Sequence, residues 1–271
     1  MTVPNPKPPD AARHLLEAQY RESLAAVTER MFAVAGIVGG QRVLDIGAGS
    51  GDTALIAAER VGLTGRVLAT DASMDAMQGL AAHLRAQSLP LPITLEAVAA
   101  ESLILEPESF DVALARNSVM YFTDPTRALA NIRAALRTGG RFVASLYGPL
   151  AHEPFHAVPI AAVRRHGALN APYPDYAQAF RVGADDVERA LREAGFQSVE
   201  RQIVPTARSF PSLAAAIEAL HLSRSLAQLL SALPEDRRKD AWTDIEAGFR
   251  DYESASGLRI AGEQVILAAI A

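Results

Sequence analysis

Hydrophobic and polar positions along the 271-residue chain follow two periods in turn. Short, nearly unbroken apolar runs at 42–46, 66–70, 93–98, 110–115 and 141–146 read as strands covered on both faces. Between them, residues 53–61, 74–87 and 125–137 have the 3–4 spacing of helices. Ser73 stands where a cap belongs before the second of these. Pro125 opens the third, and Gly139-Gly140 is expected to close it. Upstream, residues 11–38 place apolar side chains at 15, 16, 24, 27, 31 and 34, again a helical stripe. Strands alternating with helices predict an α/β fold: a doubly wound, mainly parallel, Rossmann-like sheet.

The pattern changes at Gly148. Residues 149–183 hold five prolines and three of the six histidines, so this stretch reads as a loop with one helix near 157–166. A helix at 185–194, closed by Gly195, precedes a strand at 198–204. Residues 212–252 are almost wholly helical in type, and 258–270 close the chain as an apolar strand. The expected organisation is a disordered arm at 1–10, a helical cap at 11–40 and a core at 41–148. The remainder, 149–271, completes the sheet and carries cap insertions at 149–183 and 207–256.

Composition narrows the function. Hydrophobic residues make up 49% of the chain, enough to bury a substantial core. Twenty-six basic residues face 31 acidic ones, for a net charge of −5. Phosphate backbones call for a basic surplus, so nucleic acid is not the expected partner. The absence of cysteine excludes disulfides, thiolate metal sites and a cysteine nucleophile. The opening MTVPNPKPPD has no apolar core of a signal peptide, and no apolar run is long enough to span a bilayer. A cytoplasmic protein is expected.

The most informative stretch is 41–52, QRVLDIGAGSGD. An apolar strand stops at a loop with glycine at 47, 49 and 51, and a helix follows. Glycines let the backbone turn sharply and approach a ligand closely. A dinucleotide fingerprint requires Gly or Ala at the sixth position of G-x-G-x-x-G, where this chain has Asp52. The spelling is D-x-G-x-G-x-G instead. Asp45 at the strand end would repel a pyrophosphate and suit a cationic ligand. A second acid, Asp71, ends the next strand, 20 residues past Gly51 (71 − 51), where a carboxylate can accept both hydroxyls of a ribose.

These residues resemble the class I S-adenosylmethionine-dependent methyltransferases, and within them the small-molecule branch that includes the ubiquinone/menaquinone C-methyltransferases. The resemblance is close over 41–148 and looser beyond. It implies a seven-stranded Rossmann-like sheet with helical cap segments, S-adenosyl-L-methionine as cofactor and a small methyl acceptor. It also implies that Asp45, Gly47, Ala48, Gly49 and Gly51 form the cofactor loop, with Asp71 and Ala72 at the ribose. Many relatives read D-A-E-x-L at the adenine site; here the stretch is Ala99-Ala100-Glu101-Ser102-Leu103. The acid is replaced by Ala99, which leaves the Ala100 backbone, and Glu101 or water, to read the adenine edge. Arg116 and Asn117, just past the fourth strand, are implied to line the methionine and methyl end. Tyr121 and Phe122 follow them, as pocket wall or as packing.

Methyl transfer from a sulfonium needs alignment and removal of one proton from the acceptor. The candidates for proton removal are Tyr20, Tyr121, Tyr147, His152 and His156. Tyr20 corresponds to a tyrosine that family members often place over the methionine end of the cofactor. The cap segments, rich in Ala and Leu, suit a small, largely apolar acceptor attacked at O, C or N, and equally suit a homodimer interface. His152-Glu153-Pro154-Phe155-His156 spells H-E-x-x-H, but Pro154 forbids the continuous helix on which a zinc pair would sit. No metal site is expected. Asn170-Ala171-Pro172-Tyr173 resembles a nucleic-acid methylase motif, but in the wrong place, and reads as a turn. Two alternatives stand beside the methyltransferase: an NAD(P)-dependent oxidoreductase, and a non-catalytic S-adenosylmethionine-binding protein.

Overall fold

The computed structural model describes residues 10–86, 91–167 and 178–271. Most of the expected arm, Gln87 and the 170–173 turn lie outside the described residues. In chain order the elements begin with helix α1 (Asp10–Ala35), strand β1 (Arg42–Ile46), helix α2 (Asp52–Val61), strand β2 (Arg66–Asp71), helix α3 (Met74–Arg85) and strand β3 (Ile93–Ala97). They continue with β4 (Phe110–Arg116), α4 (Pro125–Ala135), β5 (Leu136–Tyr147), α5 (Pro154–Arg165), α6 (Ala184–Glu193) and β6 (Gln197–Phe210). Helices α7 (Leu213–His221), α8 (Arg224–Ser231) and α9 (Glu235–Arg250) precede β7 (Glu253–Ser254) and β8 (Gly257–Ile270). Among the described residues no helix is long and apolar enough to cross a membrane.

The strands form one sheet in the order β3-β2-β1-β4-β5-β8-β6, with β7 paired to β8. Pairs β1–β2, β2–β3, β1–β4 and β4–β5 are parallel, and β8 runs antiparallel to β5. The order reverses between β1 and β4, so two crossover loops part there and open a crevice at the carboxyl ends. Val43, Leu44, Ala113, Leu114, Phe142 and Val143 are wholly buried, as expected of strands covered on both faces. Against them pack Ala54, Ala57 and Val61 of α2 and Leu129 and Ile132 of α4. Ser73 caps α3 by accepting from the Ala76 amide, and Asp124 caps α4 through the Arg127 amide.

Three elements depart from the sequence reading. Helix α4 stops at Ala135 rather than near 137, and the chain passes directly into β5. The Gly139-Gly140 pair lies inside that strand, beside a shift of register between Phe110 and Val112. Gly139 has φ +75°, and a Cβ on Gly140 would come within 2.8 Å of the Arg137 carbonyl. The glycines serve a bulge, not a helix end. Strand β6 continues through Pro205 to Phe210, where a stop at Val204 was expected. β6 is the last strand in the order, and an edge strand tolerates a residue without an N–H. The two-residue β7 was not anticipated. It is a tight return onto Gly257 and Leu258.

The chain divides into two compact units. The larger comprises residues 26–147, 182–204 and 264–271, and contains the parallel sheet. The smaller comprises residues 1–25, 148–181 and 205–263. It has its own core, in which Phe155 stacks on Phe210 and Phe249 at centroid distances of 6.3 and 6.1 Å. Leu213, Leu220, Leu226, Leu229, Ile245 and Ile260 surround these rings.

Candidate functional site

The loop from Gly47 to Gly51 is fastened from below. The amides of Gly47 and Ala48 both donate to the Thr70 carbonyl, at 2.8 and 3.0 Å. All three glycines have positive φ, but the space around them differs. A Cβ on Gly47 would lie 2.4 Å from the Ser118 Cβ, and one on Gly51 would lie 2.2 Å from a Leu80 methyl. These two glycines allow the loop to pack on its neighbours. Above Gly49 a Cβ would meet nothing within 4 Å. Its missing side chain faces open space, as required where a ligand must come close to the backbone.

Asp71 ties the loop to the next strand. Its Oδ2 accepts from the Gly49 amide at 2.9 Å and its Oδ1 from the Ser73 amide at 2.8 Å. Each carboxylate oxygen has a second lone pair, so the half-buried group keeps acceptor capacity. Asp45 is placed differently from the expectation of a carboxylate offered to a ligand. It is wholly buried, and its Oδ2 accepts from the Thr53 hydroxyl at 2.6 Å. Burial raises its pKa from 3.8 to about 6. The Thr53 bond and the Arg116 charge oppose that rise, and the Asp71 charge adds to it. Its effect on a bound cation would run through the local field rather than through contact. Arg116 is also turned away: its guanidinium bonds Asp52 at 3.0 Å and the Thr28 hydroxyl at 2.9 Å.

Beside the loop lies a cavity of about 410 Å³. Its wall includes Gly47, Asp71, Ala72, Ala100, Glu101, Asn117 and Tyr121 from the sequence-predicted set. Asp45, Ala48, Gly49, Gly51 and Arg116 are not among the lining residues. Ile46, Val98, Ser118, Phe122 and Thr123 complete much of the wall. Of these, Ser118 was legible only as the neighbour of Asn117; its hydroxyl donates to the Ile46 carbonyl at 2.7 Å and closes the floor.

Asn117 adopts φ +53°, a left-handed conformation that asparagine tolerates better than most residues. Its amide donates to the Ser145 carbonyl at 3.0 Å, and its Oδ1 accepts from the Ser145 hydroxyl at 3.3 Å. Its Nδ2 is buried with no hydrogen-bond partner, a donor left over in a residue that lines the cavity. Glu101 Oε1 accepts from the Thr123 amide (2.5 Å), the Thr123 hydroxyl (3.1 Å) and the Asp124 amide (3.2 Å). Partial burial would raise its pKa, but these bonds and its own amide outweigh that and hold it below the ordinary carboxylate value. Its other oxygen, Oε2, takes part in none of the three bonds. Asn131 secures this turn from behind through the carbonyls of Ala100 and Glu101. Tyr121 is the more exposed of the two aromatic residues, at 42%.

The other proton-transfer candidates sit elsewhere. Tyr147 ends β5, opposite Gln264 of β8. In the smaller unit, His152 precedes α5, is exposed, and pairs with Glu263 through Nδ1 at 2.8 Å. Pro154 opens α5 with Glu153 as its cap residue, so His152 lies outside the helix that carries His156. The H-E-x-x-H spelling therefore gives two histidines with different partners. Among the described residues, no group of three or more His, Cys, Asp or Glu could hold a metal ion.

His156 is buried between the rings of Phe155 and Phe180, at 5.5 and 5.2 Å. Its Nδ1 lies 3.5 Å from Glu153 Oε2, and Glu153 is itself 5% exposed. Burial pushes the imidazole pKa down; the neighbouring Glu153 carboxylate opposes this and the Arg208 charge reinforces it. Tyr20 lies near the same group, its ring centroid 5.4 Å from the Arg208 guanidinium carbon.

Residues 43–140 match the family model described as a methyltransferase domain. Over 206 residues the chain is 27% identical to a ubiquinone/menaquinone biosynthesis C-methyltransferase of Cupriavidus taiwanensis, covering 72% of this chain and 80% of that protein. Two solved structures illustrate the shared fold. A geranyl diphosphate methyltransferase in complex with S-adenosylmethionine aligns with a TM-score of 0.54 and 16% identity, over 98% of this chain and 92% of that one. The [4+2]-cyclase SpnF aligns with a TM-score of 0.55 and 22% identity, over 90% and 80%. Together, the methyltransferase domain matched over 43–140, the glycine loop, the acid ending β2 and the Rossmann-like sheet are features that this chain shares with the class I S-adenosylmethionine-dependent methyltransferases.

Proposed function

We propose that this chain methylates a small, largely apolar molecule at an O, C or N atom, with the cofactor held in the cavity beside the 47–51 loop. The observation that carries this reading is the bracket made by Asp71 on the Gly49 amide, with open space over Gly49 itself. In this reading Asp71 accepts the ribose hydroxyls with its remaining lone pairs. Ala72 and the Ala100 backbone flank the ring system. Glu101 Oε2 takes the adenine amine in place of the acid missing at Ala99. Gly47 and Asn117 Nδ2 face the methionine end.

The bound cofactor supplies a methyl group already activated on a sulfonium. This chain's residues then align the acceptor and take its proton. Tyr20, Tyr121, His152 and His156 are the candidates for that base, and of these Tyr121 lines the cavity.

A second reading, cofactor binding without methyl transfer, has one observation in its favour: the same fold serves a protein named as a cyclase. Calorimetry with S-adenosylmethionine and with NAD tests the cofactor. A labelled methyl donor offered with a panel of small acceptors tests the transfer. Tight donor binding with no label moved to any acceptor would favour the second reading. Binding of NAD in preference to the donor would sink both.

A further inference from the structure

We propose that the larger unit carries a second binding site, at the amino-terminal end of its sheet, for a small organic acid whose carboxylate is held by Arg30 and Arg141 and whose hydroxyl or amine reaches Glu200. The site is a cavity of about 340 Å³, within the size range of small-molecule pockets. All of its lining residues belong to the larger unit. Arg141 of β5 stands opposite Ile270, the last residue of β8, whereas Ser145, further along β5, pairs with Arg116 at the carboxyl end of β4. The cavity therefore lies at the end of the sheet away from the 47–51 loop, and it shares no lining residue with the cavity beside that loop.

Helix α1 and the last three strands of the order supply the wall. On α1, Arg30, Ala33 and Val34 are three and four positions apart and so share one face. On β6, Glu200 and Gln202 alternate and point to the same side, and on β8 Ala268 and Ile270 do likewise. The bonds that the two arginines make fasten α1. Arg30 Nε donates to Gln202 Oε1 at 2.5 Å, and Arg141 Nη1 donates to the Val34 carbonyl at 2.9 Å. Gly36, with φ +63°, leaves room for the second bond, since a Cβ there would lie 3.2 Å from Arg141 Nη1. These bonds use one nitrogen of each guanidinium and fix where the others sit.

The charges of the wall do not close on one another. Among the described residues neither arginine has an ion-pair partner, and the Glu200 carboxylate has neither an ion pair nor a hydrogen bond, although all three residues line one cavity. Arg201, next along β6, shows the contrast: it pairs with both Asp185 and Glu188. Opposite charges that line one space without meeting leave room for a ligand that bridges them. Two guanidiniums against one carboxylate leave a surplus of one positive charge. That surplus suits a singly charged carboxylate better than a phosphate dianion, and the planar fork matches a carboxylate's geometry. Glu200 offers only acceptors, so the ligand must also carry a donor. Val34, Ala268 and Ile270 give apolar surface for a short carbon chain.

The test is binding to the full chain with no methyl donor present, so failure of the methyltransferase reading leaves its result untouched. Norvaline and α-hydroxyvalerate are compared with valerate, with the primary amides of all three and with inorganic phosphate. Calorimetry gives the affinities, and amide chemical-shift mapping by NMR gives the place. At least one of the first two acids should bind more tightly than valerate and at least about tenfold more tightly than its own amide. It should shift amides within 198–202 and 268–270 and leave those of 47–51 in place. Arg30→Gln and Arg141→Gln should each weaken it at least about fivefold. Glu200→Ala should erase the advantage over valerate. If Arg141→Gln does not fold, Arg141→Lys takes its place and should still weaken binding at least about threefold. The proposal is overturned if neither acid binds, if acid and amide bind alike, if phosphate binds more tightly than both acids, if the shifts map elsewhere, or if affinity survives the loss of Arg30.

Discussion

Replacing Asp45 with asparagine should stabilise the cofactor-free protein at neutral pH, although Asp45 belongs to the most diagnostic motif of the chain. Its carboxyl group is wholly buried, and its pKa rises from 3.8 to about 6, chiefly through that burial. A carboxyl raised in the folded state contributes stability that is fully present below its unfolded value and is lost as pH rises through the folded value. At pH 7 the folded protein therefore carries a buried charge that the unfolded chain keeps in water. At roughly 1.36 kcal/mol per pH unit of displacement, the penalty is about 3 kcal/mol at pH 7 and well under 1 kcal/mol at pH 4. Asparagine is close in shape, and its carbonyl can still accept from the Thr53 hydroxyl.

The assay is urea unfolding of wild type and Asp45→Asn, without cofactor, at both pH values. Comparing the variant's advantage at the two pH values cancels packing changes that do not depend on pH. That advantage should be about 2 kcal/mol larger at pH 7 than at pH 4. A difference that is flat with pH, or larger at pH 4, would refute the claim that Asp45 is a strained buried acid. The carboxylate would persist despite its cost because its field favours the cofactor's positive charge, so the same variant should bind S-adenosylmethionine less tightly at pH 7.

Other outcomes follow from the same geometry. Gly49→Ala should cost the fold only the strain of a left-handed alanine, about 1–2 kcal/mol, because no neighbour is met. Cofactor affinity, read by calorimetry, should fall steeply, and Gly49→Val should abolish it; wild-type affinity in either would sink the placement of the cofactor. Gly47→Ala should lower thermal stability more than Gly49→Ala, since its Cβ would lie 2.4 Å from that of Ser118. Asp71→Asn keeps one acceptor oxygen but turns an NH₂ group toward the amide of either Gly49 or Ser73. Losing one charge-assisted bond costs about 1.5–3 kcal/mol, so donor affinity should drop at least tenfold; an intact affinity would leave Asp71 with a loop-fastening role only. With an acceptor in hand, Tyr121→Phe should lower kcat while donor affinity by calorimetry holds, because Tyr121 lines the cavity and its hydroxyl would act mainly in the transition state. Full turnover in that variant would exclude the Tyr121 hydroxyl as the base.

The sequence alone determined the local and periodic features. Strands covered on both faces must be apolar throughout, so β1, β2, β4 and much of β5 were legible residue by residue. Ser73 and Pro125 marked their helix starts because capping is settled within one turn of chain. The loop of 47–51 and the acid at 71 could be read together because close backbone approach demands glycine and ribose recognition favours a carboxylate. Tertiary structure decided what these residues face. Three glycines with similar spelling divide into two that touch Ser118 and Leu80 and one that is open, and only the position of α3 and of the segment after β4 makes that distinction. Asp45 looked like a ligand-facing acid, but Thr53 and the covering loop bury it. The glycines expected to end α4 serve a register shift in β5, which depends on pairing with β4. Strand β6 runs through a proline because it lies at the end of the strand order, and strand order is a long-range property that no local window contains.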